Sequence, residues 1–259
     1  MKKETTACAV NSGTCPEVLE TEEQKLRLIY SELIGPPSII PSPSDLQKAD
    51  SLCPDKMGAH VVVADSETVA KFGHGVRLAE SEALHLASTS TTITTPMLLS
   101  AYILDGVGYI VMSYERGESL AQYWDRVSKP EQNRILEQLQ EDYVNQMREI
   151  PGDFIGGLDG SPCRDGIFEA GNGDYTSYSH GPYASEESFN EGIIQALRDR
   201  IRPKVLEREN DIESNFFNSE YMLYQTVRGL ENHKIVFTHG DLHPGNIIVR
   251  ADGTVVLLN

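Results

Sequence analysis

In "HGDLHPGN", residues 239–246, Asp241 and Asn246 stand five positions apart across a Pro-Gly loop. That spacing suits a site where a carboxylate accepts the proton of an attacking hydroxyl while an amide oxygen beside it ligates Mg²⁺, two needs of phosphoryl transfer. Two further parts lie upstream in the order this chemistry asks for. Lys71, in "TVAKFG", can bring positive charge to the phosphates, and Glu80, in "ESEAL", can orient it. Taken singly, each has a plainer reading. A strand lysine is commonly a solvated edge residue, and a first-turn glutamate is favoured by the helix dipole. The four parts in one chain order are what select the chemistry. His239 is read as packing and hydrogen-bonding to set the loop, and His243 as facing solvent or touching an acceptor.

Elements that could hold these groups are legible in the hydrophobic pattern. "HVVVADSETVAKFG" reads as a hairpin turning at Asp65 to Thr68, with Lys71 on its second strand. "VRLAESEALHLAST" carries one helical apolar stripe, which puts Glu80 near a helix start. "PMLLSAYIL" and "YIVMSYE" flank the turn "DGVG" as two more strands. From Gly117 the period becomes helical. Ser128 and Glu131 make a capping box before the stripe Ile135, Leu136, Leu139, Tyr143, Met147 and Ile150. "SEESFNEGIIQALRDRI" and "SEYMLYQTVRGLENH" are two further helices, with a long irregular segment over 151–184 before them. The end returns to strand in "KIVFTH", "NIIVR" and "VVLLN", with Asp252-Gly253 as a hairpin turn. At the other end, residues 1–16 are polar and aperiodic and are read as disordered, and "EVLETEEQKLRLIYSELIG" is read as one helix stopped by Gly35 and two prolines.

Composition narrows the partners. With 39 acidic against 22 basic residues the formal net charge is -17, a field that opposes docking on nucleic acid or anionic lipid. The 4 cysteines show no CxxC pair and no histidine partners at zinc-finger spacing. No apolar run approaches the ~18 residues of a spanning helix, and the N-terminus lacks the apolar core of a signal peptide. These features place the chain in the cytoplasm, away from membranes.

His239, Asp241 and Asn246 also match the catalytic-loop pattern H-R-D-x-x-x-x-N, with Gly240 in place of Arg. "FTHGDLHPGNIIV" and "YIVMSYERGESLAQYWDRV", together with "TVAKFG", "ESEAL" and "FIGGLDG", strongly resemble the aminoglycoside phosphotransferase family, in particular its fungal members, over about residues 60–259. The resemblance implies an α+β, protein-kinase-like two-lobed fold. Residues 17–116 would form a small β-rich nucleotide-binding lobe with a leading helix, and residues 117–259 a mainly helical lobe carrying the catalytic-loop hairpin. It implies ATP and Mg²⁺ as cofactors and a small molecule bearing a hydroxyl as acceptor. By the same likeness Asp241 is the catalytic aspartate, and Lys71 with Glu80 holds the nucleotide phosphates. Met112, Ser113 and Glu115 form the hinge that meets the adenine, and Asn246 and Asn259 occupy the metal positions. The oligomeric state is left open.

Two departures from the family pattern bear on activity. The family's hairpin ends in "IIDW", whose Asp ligates the metal, whereas this chain has "LLN" with neutral Asn259 there. The family's last helices, which help form the acceptor pocket, are also expected to be missing. Alongside an ATP-dependent phosphotransferase, the sequence therefore keeps open a non-catalytic nucleotide-binding pseudoenzyme or defective gene product. A metallohydrolase using His239, Asp241 and His243 lacks further clustered ligands.

Overall fold

Six runs between Thr14 and Ser113 form strands, and they assemble into one antiparallel sheet. In the computed structural model, which describes residues 14–21, 24–54, 58–168, 180–205 and 219–258, its strands are β1 (Thr14–Thr21), β2 (Gln24–Ser31), β3 (His60–Val63), β4 (Thr68–Gly73), β5 (Leu98–Leu104) and β6 (Val107–Ser113). Their spatial order is β1-β2-β5-β6-β4-β3. A short helix α1 (Pro43–Leu46) precedes β3, and α2 (Leu78–Ser90) joins β4 to β5. The expected order of strand, strand, helix, strand, strand is present over residues 60–113.

The expected leading helix is not. Residues read as one helix form the antiparallel pair β1 and β2 instead, in a register that opposes Leu19 to Leu26. The apolar positions of "LRLIY" satisfy a period of two as well as one near four, and burial decides between them. Leu28 is 2% exposed and Tyr30 packs beside it on the same sheet face, so alternation wins. The disorder read for residues 1–16 meets β1 at residues 14–16, and residues 1–13 lie outside the described ones.

Period-two alternation gives the sheet two distinct faces. One carries Val62, Ala70, Val111 and Leu28 with Leu46 of α1 over them. Across it runs a row of rings at facing positions on adjacent strands: His60, Phe72, Tyr109 and Tyr102, with successive centroids 5.2, 5.8 and 5.0 Å apart. The other face carries Lys71 opposite Ile110, near a smaller cluster of Ala59, Val76 and Ile110.

Backbone contacts divide the chain into two compact units. The first holds the described residues up to Thr89, Thr94–Tyr123 and those from Gly245 on, and the second holds Ser90–Ile93 and Trp124–Pro244. The division thus follows Tyr123 rather than residue 116, and the last hairpin belongs to the first unit. There β7 (Glu118–Ser119), β8 (Ile247–Val249) and β9 (Val255–Leu257) form a second antiparallel sheet beside the single turn α3 (Leu120–Tyr123).

In the second unit Ser128 caps α4 (Lys129–Glu137), its hydroxyl accepting the Glu131 N–H at 3.4 Å as the capping box predicts. The helix then widens into a π-helical stretch over Gln138–Val144 before α5 (Asn145–Glu149). Ile135, Tyr143 and Met147 are buried, while Leu136, expected on the same stripe, is 48% exposed. Leu136 sits about 100° around the helix from Ile135, beyond the edge of the buried face. The helices α6 (Glu186–Val205) and α7 (Ser219–Arg228) follow, meeting through Ile194, Tyr224 and Val227. "KIVFTH" makes a single isolated bridge, Val236 to Pro151, and not the expected strand. One neighbour with one bridge leaves its β-forming residues without a ladder to join.

Candidate functional site

Lys71, expected at the nucleotide phosphates, lies in the first unit. Its strand β4 lies between β3 and β6, so the lysine is interior to the sheet and 12% exposed rather than a solvated edge residue. Its ammonium donates to Glu80 Oε2 from the first turn of α2. The second carboxylate oxygen accepts the Arg77 backbone N–H at 3.3 Å, which satisfies one of the unpaired donors at the helix start. Glu80 is therefore fixed from two directions, and it leaves the remaining ammonium hydrogens of Lys71 available for a phosphate.

The segment expected to meet the adenine follows β6. Ser113 N–H donates to Met97 O at 2.9 Å, but the reciprocal donor, Met97 N–H, goes to the Ser113 hydroxyl at 2.8 Å rather than to the Ser113 carbonyl. That hydroxyl donates to Glu115 Oε1 at 2.9 Å. Glu115 Oε2 accepts from Arg250, through Nε at 3.1 Å and through Nη2. The Glu115 side chain is thus engaged within the protein, so contact with a base would fall to its backbone. Met112 lies in the ladder opposite Val69 and is half-buried.

Asn246 closes a 3₁₀ turn, Pro244–Asn246, and is 8% exposed. Its carbonyl accepts the Leu258 N–H at 2.8 Å, which joins the two ends of the β8–β9 hairpin. Asn259, the other expected metal position, lies outside the described residues. Among those described, no three His, Cys, Asp or Glu side chains gather as a metal site. Magnesium sites ordinarily use one or two carboxylates plus phosphates and water. Asn246 can give such an ion one amide oxygen, and the phosphates of a nucleotide would supply others.

Asp241 belongs to the second unit. Its loop turns at Gly240, whose φ of 78° is a conformation glycine adopts without strain. The Asp241 N–H donates to His239 Nδ1 at 3.2 Å, which agrees with His239 setting the loop. The carboxylate is 76% exposed and lies 3.7 Å from His243 Nε2. A carboxylate can accept the proton of an attacking hydroxyl group.

Two participants escaped the sequence reading. Arg250, which holds Glu115, has no local signal, because its partner is 135 positions away. Glu82, two residues after Glu80, is 8% exposed and accepts a hydrogen bond from Ser31 on β2. A helical step of two places it on the opposite side from Glu80, a hint that the acidic stretch itself contained.

A model of the APH phosphotransferase enzyme family matches residues 79–257. The chain belongs to this family. The matched span includes Glu80, the hinge, Asp241 and Asn246, and it begins after Lys71 and the β1–β2 pair. No curated protein sequence matches. Among solved structures, the chain is similar to a protein provisionally named fructosamine-3-kinase from Haemophilus somnus 129PT, with TM-score 0.50 and 18% identity over 81% of this chain. It spans 64% of the length of that relative. A weaker likeness, with TM-score 0.46 and 14% identity over 83% of this chain and 67% of the other, is to the GDP and kanamycin complex of APH(2")-IIia. The resemblance read from the sequence is borne out at the level of family, and so is an α+β fold of the kinase-like phosphotransferase kind.

Proposed function

We propose that this protein binds ATP with Mg²⁺ and transfers the terminal phosphoryl group to the hydroxyl of a small molecule. The observation that carries the reading is the Lys71–Glu80 pair, largely shielded from water and oriented from both carboxylate oxygens. A lysine so held presents charge to phosphates at little further entropic cost, and charge neutralisation is most of what phosphoryl transfer asks of a protein. The backbone around Ser113 and Glu115 receives the base. Asp241 orients the acceptor hydroxyl and takes its proton. Asn246 would give an amide oxygen to the metal that the nucleotide carries, and Asn259 is the other position that the family pattern assigns to it. A cytosolic setting agrees with the free thiols Cys53 and Cys163, and the charge of -17 suits a small acceptor better than nucleic acid.

The neutral residue Asn259, at the position where the family pattern has an aspartate, favours a second reading, in which the chain binds nucleotide without turnover. Calorimetric titration with ATP and Mg²⁺, run beside phosphate transfer to a panel of amino-alcohols and aminoglycosides, separates the two. Binding with turnover that vanishes in Asp241→Ala supports the transferase. Binding without turnover leaves the non-catalytic reading, and absence of binding overturns both.

A further inference from the structure

Glu82 is a nearly buried carboxylate that the proposed chemistry does not use. It lies on α2 and accepts the hydroxyl hydrogen of Ser31, which is 1% exposed at the end of β2. The Ser31 oxygen in turn accepts the Leu33 N–H at 3.3 Å, and its carbonyl accepts the Gly35 N–H at 2.8 Å. Ser31 is therefore held at the start of the turn that follows β2. Along β2, Leu28 and Tyr30 pack on the face opposite Lys71, so Ser31 alternates onto the face that Lys71 shares.

The helix is gripped at two places. Glu80 reaches Lys71 on β4, and Glu82 reaches Ser31 on β2, with β5 and β6 between those strands. Three strand spacings put the two anchors about 14 Å apart across the sheet. Residues two apart on a helix point about 200° from one another, so one contact alone would leave α2 free to roll about it, and both together set its rotation. Leu78, Ala79, Leu84 and Ala87 also pack on this side, and the two carboxylates add direction to that non-directional packing.

We propose that Glu82, tied through Ser31 to the β1–β2 pair, is a positioning residue for nucleotide binding: it fixes the rotation of α2 and so keeps Glu80 against Lys71. The inference rests on the nucleotide site proposed above. It assigns a task to a pair of strands lying outside the residues the family model matches.

The test is ATP affinity by calorimetry on the full chain, with amide hydrogen exchange of α2 as second readout. Glu82→Leu and Ser31→Ala each remove the contact and should weaken ATP binding by roughly fivefold, the worth of one net hydrogen bond, while exchange along α2 speeds up. Glu82→Gln keeps an oxygen that accepts the Ser31 hydroxyl and should bind within about twofold of the parent. Ile135→Val, a core deletion in the second unit, controls for general loss of stability and should leave affinity unchanged. Parent-like binding by both Glu82→Leu and Ser31→Ala overturns the proposal. So does a Glu82→Gln as weak as Glu82→Leu, or an equal loss in Ile135→Val. If Glu82→Leu does not fold, Ser31→Ala decides alone. A parent chain that binds no ATP instead defeats the nucleotide-site reading itself, an outcome distinct from indifferent variants of a binding parent.

Discussion

Arg250 and Glu115, 135 positions apart in sequence, meet side chain to side chain and tie the segment after β6 to the β8–β9 hairpin. Glu115 is 11% exposed there and Arg250 36%. One contact therefore links the expected base-binding hinge to the hairpin that starts at Asn246. Removing one partner of a fully buried pair costs about 3–5 kcal/mol and an exposed pair contributes under about 1. For this intermediate burial, Arg250→Ala should lower unfolding free energy by about 2 kcal/mol in urea titration. Arg250→Lys should recover little, because an ammonium cannot reproduce the guanidinium fork. Full recovery by lysine would show that the contact is a simple attraction of charges.

Lys71 and Asp241 should separate binding from chemistry. Lys71→Ala is expected to weaken ATP binding and, if the chain turns over, to slow it by roughly 10² to 10³, the usual cost of one electrostatic element at a transition state. Asp241→Asn should leave ATP affinity near parental while phosphate transfer disappears. Equal effects of both on ATP affinity would remove the division of labour.

Gly108 faces Gly73 across β4 and β6, and a Cβ on it would lie 2.2 Å from Val76 O. The obstacle is backbone in the turn before α2, which cannot rotate away. Gly108→Ala should destabilise by about 1–3 kcal/mol, the range for overpacking, whereas Gly166→Ala, with nothing within 4 Å of the new methyl, serves as a neutral control. Denaturant midpoints that do not differ between the two would contradict the packing.

Glu186, in the first turn of α6, accepts the His233 backbone N–H at 3.0 Å and contacts the His233 ring at 2.5 Å. The backbone hydrogen bond first, then the side-chain bond and the charge of His233, hold its carboxyl below the ordinary value of 4.5. A carboxylate whose folded pKa is depressed stabilises the fold above the unfolded value and ceases to do so as pH falls through the folded one. Glu186→Gln should thus be less stable than the parent near neutrality, and the gap should close below pH 4.5. Thermal melts of both chains, scanned downward from about pH 5 across the carboxylate range, would show two parallel curves if the bond contributes nothing.

What could be read in the sequence was what short segments decide. Asp105 and Gly106, with φ of 50° and 81°, make the β5–β6 turn that "DG" between apolar runs calls for, and Ser128 with Glu131 caps α4 as their spacing requires. The family was legible through its motifs, such as "FTHGDLHPGNIIV" and "YIVMSYERGESLAQYWDRV", because each is a short stretch that can be read without its distant neighbours. Tertiary structure decided the rest. "LRLIY" suits a helix or a strand, and β5 pairing beside it with Leu28 buried made it a strand, since burial of one alternating face outweighs local preference. "KIVFTH" has strand composition but gains one bridge, and without a ladder that composition builds nothing. Ser31 with Glu82 and Glu115 with Arg250 are pairs whose members lie 51 and 135 positions apart. No local pattern specifies such partners, because folding brings them together and the low-dielectric interior then makes each hydrogen bond count.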